Sequence, residues 1–105
     1  MYDYCVVMTT FESEEQANKV IEAVLADKLA ACIQTTNISS HYIWKGEICH
    51  DKEVLAMFKT PSRLFEELKE KIKLIHPYET PEIIKLPIEE GLVDYLKWMD
   101  DVTKD

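Results

Sequence analysis

The fold is decided by residues 30–59, AACIQTTNISSHYIWKGEICHDKEVLAMFK. Both halves are rich in β-branched and aromatic residues. They meet at Lys45-Gly46, a plausible two-residue hairpin turn, although lysine is a poor first residue for it. Ala30 to Trp44 reads as one strand, weakened in its middle by Asn37, Ser39 and Ser40. Glu47 to Lys59 reads as its partner, with Val54 to Phe58 apolar on both faces. The 15 residues of the first strand span about 50 Å at about 3.3 Å each. The hairpin should therefore overhang a sheet of shorter strands and carry Tyr42, Ile43 and Trp44 at its tip. Exposed edges and large aromatics there invite association, and a closed homo-oligomer would cover them. A bulge near Asn37 that folds the ribbon back onto its own subunit is the alternative.

Working outward, Tyr2 to Thr10 reads as a central strand, apolar on both faces at Cys5-Val6-Val7-Met8. Ser13 followed by Gln16 is a capping box, and Ala17, Val20, Ile21 and Val24 continue at helical spacing to about Lys28. Beyond the hairpin, Thr60-Pro61 reads as the cap and first residue of a second helix, whose inner face is Leu64, Phe65, Leu68, Ile72 and Ile75. Pro77 ends it. Pro81 and Pro87 bracket a short strand with Ile83 and Ile84, and Gly91 precedes a last helix carrying Leu92, Tyr95, Leu96 and Met99. The order β-α-β-β-α-β plus a C-terminal helix is an α+β, ferredoxin-like arrangement. Residues 1–105 read as a single domain, uninterrupted by linker or repeat. Asp100, Asp101 and Asp105 read as a frayed tail.

Composition narrows the partners. With 20 acidic and 12 basic side chains the net charge is −8, which argues against nucleic acid. No apolar run approaches the roughly 20 residues that span a membrane. Cys5, Cys32 and Cys49 are odd in number and form no CxxC, so they point to free thiols and a cytoplasmic location. Met1-Tyr2-Asp3 shows no signal-peptide pattern. The chain has only 2 glycines and no G-x-S-x-G or HExxH motif, and no residue set suggests turnover.

Five short motifs stand in order along these elements: Leu29-Ala30-Ala31-Cys32; Tyr42-x-Trp44-x-Gly46; Glu53-x-Leu55 with Lys59-Thr60; His76-Pro77-Tyr78-Glu79-Thr80-Pro81-Glu82-Ile83; and Tyr95-Leu96-x-Trp98. Together they resemble the CutA family of divalent-cation tolerance proteins. That resemblance implies a compact homotrimer, similar in architecture to the PII-type signalling trimers, with long hairpins reaching between subunits. It also implies a cytosolic protein linked to copper and other divalent cations.

Within the resemblance, His76 is the first candidate ligand for Cu²⁺ or Zn²⁺. Glu79 and Glu82 could add oxygens, and Cys32 a thiolate if folding brings it close. Against this, a histidine at a helix end can bond the last carbonyls, and Cys32 can be a small packed hydrophobe. Some family members carry a cysteine at the end of the first strand and a second histidine before His-Pro-Tyr; here those positions are Thr9 and Ile75. The hairpin offers another pair independently. If the turn is Lys45-Gly46, His41 faces His50 and Tyr42 faces Cys49, while Asp51 points to the opposite face from His50.

The leading reading is a trimeric divalent metal (copper) ion binding protein of the cation-tolerance response, not an enzyme. The alternatives are a PII-like sensor of a small effector at a subunit cleft and a structural interaction protein. An acylphosphatase-like hydrolase would need an arginine after the first strand, where Thr10-Phe11-Glu12 stands and the only arginine is Arg63.

Overall fold

The computed structural model describes residues 2–105; Met1 lies outside them. Strands β1 (Tyr4–Phe11), β2 (Cys32–Trp44), β3 (Glu47–Pro61) and β4 (Ile84–Ile88) alternate with helices α1 (Glu14–Ala26), α2 (Phe65–Ile75) and α3 (Val93–Val102) in the expected order. All four strands join one antiparallel sheet in the order β2-β3-β1-β4. Odd positions of β1, from Cys5 to Phe11, and Val54, Ala56, Phe58 and Thr60 of β3 turn to one face. There they pack on Val20 and Val24 of α1 and Leu68 and Ile72 of α2. The other face meets α3: the Lys59 ammonium lies 5.9 Å from the Tyr95 ring, and Tyr4 donates its hydroxyl to Asp100.

The hairpin carries no bulge. Its register holds without a break from Cys32↔Lys59 to Trp44↔Glu47, so the polar middle does not fold the ribbon back. Because β1 pairs with β3 only as far as Val54, residues 38–53 form a two-stranded ribbon beyond the sheet. The molecule measures 44 × 26 × 22 Å. At the tip Lys45 and Gly46 both take positive φ, 50° and 80°, as a primed turn requires.

Ser13 accepts the amide of Gln16, as the capping box predicts, but the Gln16 side chain reaches back to the amide of Glu12. The expected Thr60-Pro61 helix start is corrected. Thr60 is fully buried and donates its hydroxyl to the Leu29 carbonyl at 2.8 Å, so the strand runs on to Pro61 and a 3-10 turn, Ser62–Leu64, leads into α2. Leu92 precedes α3 and is exposed; Met99 is the buried residue of that helix. The C-terminus is tied down, not frayed. The Lys104 amide donates to the Lys28 carbonyl at 2.9 Å, Arg63 donates to the Lys104 carbonyl, and Asp100 lies 3.6 Å from the Arg63 guanidinium. No helix among the described residues is long and apolar enough to cross a membrane.

Candidate functional site

The segment after α2 builds the site. Pro77 forces the preceding residue out of the helical region, so His76 turns extended at φ −61°, ψ 132° and α2 stops at Ile75. This drops the His76 ring onto the end of β1, 8% exposed. It stacks on Phe11 with centroids 4.6 Å apart and lies tilted against Tyr78 at 4.7 Å. Its Nδ1 accepts the Tyr78 amide at 3.1 Å, and its Nε2 lies 2.8 Å from the Thr10 carbonyl. An amide can only donate, so Nδ1 carries no proton and Nε2–H donates to Thr10. Burial holds the imidazole below its usual pKa, against the opposing pull of the Thr10 carbonyl and Glu53. His76 is therefore a neutral strut between β1 and the 77–82 loop. Its ring bonds a strand carbonyl, not the last carbonyls of its own helix.

The loop so anchored covers a cleft of about 610 Å³ on the ribbon side. Thr10, Ser40, His41, Tyr42, Trp44 and Glu53 line it from the sheet, and Pro77, Tyr78, Glu79, Thr80 and Glu82 from the loop. Tyr78 donates its hydroxyl to Glu53 at 2.7 Å, which pins the loop to β3. Burial first, then that bond, raises the Tyr78 pKa. Tyr42 donates to Asp51 and is pushed up to about 12, chiefly by that bond. Both phenols therefore stay protonated near neutral pH and act as fixed donors. The cleft carries Glu53, Glu79 and Glu82 and no lysine or arginine.

The four expected ligands do not converge. Both His76 nitrogens are taken by backbone groups. Cys32 pairs with Lys59, which pairs with Val6; Thr10, at His76, is four residues farther along β1, about 13 Å by strand rise. Cys32 instead faces α3, where burial and the Cys32 thiol raise the Tyr95 pKa. Glu79 and Glu82 do line the cleft. Among the described residues no group of three or more His, Cys, Asp or Glu is placed to hold a metal ion, so the set does not fit a preformed high-coordination site. Thr9, where a thiol would stand, is buried on the helix side of β1. Cys5 is buried in the core. Sequence reasoning missed the Tyr78–Glu53 bond. Its signal was present, since both residues lie in the quoted motifs, but nothing local says that the two motifs touch.

The sequence profile of the CutA1 divalent ion tolerance protein matches residues 5–102. The chain is 44% identical over 99 residues to the divalent-cation tolerance protein CutA of Pyrococcus horikoshii, covering 94% of this chain and 97% of that one. It is 42% identical over 99 residues to the protein of the same name from Thermus thermophilus, covering 93% and 96%. The crystal structure of CutA1 from Pyrococcus horikoshii superposes with a TM-score of 0.93 at 42% identity, over 96% of this chain and 99% of that one.

Proposed function

The chain belongs to the CutA1 family of divalent ion tolerance proteins, and from that premise we propose that it is a cytoplasmic homotrimer that acts by binding divalent cations, copper among them, and not by turnover. The observation that carries this reading is the cleft under the 77–82 loop, whose lining holds three carboxylates, not placed as one ligand set, and no basic side chain. A cation entering it meets Glu79 and Glu82 on one wall and the phenol-bonded Glu53 on the other. With few protein ligands the rest of the coordination sphere is left to water or to a second subunit. Such binding is exchangeable, as a response protein needs.

The test is a Cu²⁺ titration of metal-free protein against a competing chelator, with wild type beside Glu79→Gln, Glu82→Gln. The reading expects saturable binding that weakens about tenfold, roughly 1.4 kcal/mol, in the double variant. Binding unchanged by that variant would remove the loop carboxylates, and no binding by wild type would remove the metal reading. A second reading rests on the shape of the same cleft. Its volume lies in the range of small-molecule sites, and Tyr42, Trp44 and Tyr78 give it aromatic walls. That reading expects a small organic effector to co-purify with the trimer and to be lost in Tyr78→Ala.

A further inference from the structure

The overhanging ribbon holds a second set of donors that the cleft does not use. His41 and His50 stand directly opposite one another. In a two-residue hairpin the residues flanking the turn, here Trp44 and Glu47, form a hydrogen-bonded pair, and bonded and non-bonded pairs alternate outward from it. The 41–50 pair therefore falls on the non-hydrogen-bonded kind, whose side chains stand closer. The two rings are stacked with centroids 4.2 Å apart and planes 10° from parallel. Both residues are exposed. His76 has both nitrogens engaged. By contrast, no hydrogen bond or ion pair within the described residues engages a nitrogen of His41 or His50.

We propose that His41 and His50 form a two-imidazole chelate for a borderline divalent cation, Cu²⁺ before Ni²⁺ or Zn²⁺. This rests on the reading of the protein as a binder of divalent cations and adds a nitrogen site apart from the carboxylate cleft. Two metal–nitrogen bonds of about 2.0–2.1 Å each span about 4 Å, the scale of the ring separation. The histidine χ2 torsion is broad, so rotation of the two exposed rings out of their stack turns a nitrogen of each toward one ion. Imidazole suits the late first-row ions, among which Cu²⁺ binds most tightly. A ribbon backbone locked in register holds the two ligands together before the ion arrives, which lowers the ordering cost of binding. By strand alternation the two imidazoles lie on the ribbon face opposite Ser40, Tyr42, Trp44 and Glu53, which line the acidic cleft, so the pair is a site apart from it.

The test uses the full, metal-free chain with Cu²⁺ alone at one equivalent, read by electron paramagnetic resonance and by chelator competition. Variants are His41→Gln, His50→Gln, their double, and Glu79→Gln, Glu82→Gln, each checked for wild-type melting temperature. Wild type is expected to show hyperfine coupling to two imidazole nitrogens. Each single histidine variant is expected to lose one of them and about tenfold in affinity. A spectrum and affinity that persist in the double histidine variant would overturn the chelate. If binding then falls only in the glutamate variant, the cleft reading stands without it. Failure of wild type to bind Cu²⁺ at all would overturn both.

Discussion

At the scale of the residue, His76 shows how far a motif can be read. That it matters was legible in His-Pro-Tyr, and Pro77 announced the end of a helix. What it does was not legible, because its partners are the Thr10 carbonyl and the Tyr78 amide, and only the fold brings Thr10 near. Removing the ring strands two buried backbone groups and a stacked contact. His76→Ala should cost about 3 kcal/mol, measured as a guanidinium midpoint at fixed protein concentration. Copper affinity should stay within about threefold of wild type. The ring also imposes a pH dependence. Its folded pKa lies below the unfolded value because burial disfavours the charged form, so the unfolded chain takes up the proton first. The stability it confers is whole above pH about 6.5 and is lost as pH falls through the lower folded value. Wild type should lose more stability than His76→Ala between about pH 7.5 and pH 5; equal losses would refute the neutral-strut assignment.

At the scale of the element, the hairpin was the most legible part of the chain. Two turn residues fix the register, and the predicted facing of His41 with His50 and of Tyr42 with Cys49 follows in the structure. The turn also stores a small cost. Lys45 sits at φ 50°, a left-handed conformation that asparagine visits more readily than lysine. Lys45→Asn should stabilise the protein by about 0.5 kcal/mol, seen as a higher melting temperature with an unchanged copper spectrum. The start of α2 was misread for a physical reason. Thr-Pro carries every local sign of a helix cap, but a tertiary acceptor, the Leu29 carbonyl, captures the Thr60 hydroxyl and keeps the backbone extended. The placement of Cys32 was hidden in the same way, because a strand residue's neighbours depend on its face and rung, and both are set by pairing.

At the scale of the whole molecule, the chain leaves too much uncovered for a lone subunit. β2 is an edge strand along its full length. Ile43 and Ile48 at the ribbon tip are 76% and 88% exposed, and Leu86, Val93 and Trp98 add apolar surface on β4 and α3. Free edges and apolar tips of this kind are closed by association. The proposed trimer should sediment at about 37 kDa, three times the 12.3 kDa chain. Ile43→Asp with Ile48→Asp should shift it toward the monomer, since two like charges then face each other across the ribbon. The central claim is that the divalent cation sits in the cleft between the 77–82 loop and the ribbon. Anomalous diffraction at the copper edge, from crystals grown with Cu²⁺, tests it most directly. A peak within ligand distance of Glu79 and Glu82 in the cleft is expected, and the proposed chelate would add a second, separate peak between the His41 and His50 rings. A peak on His76 or Cys32, with the cleft empty, would contradict it.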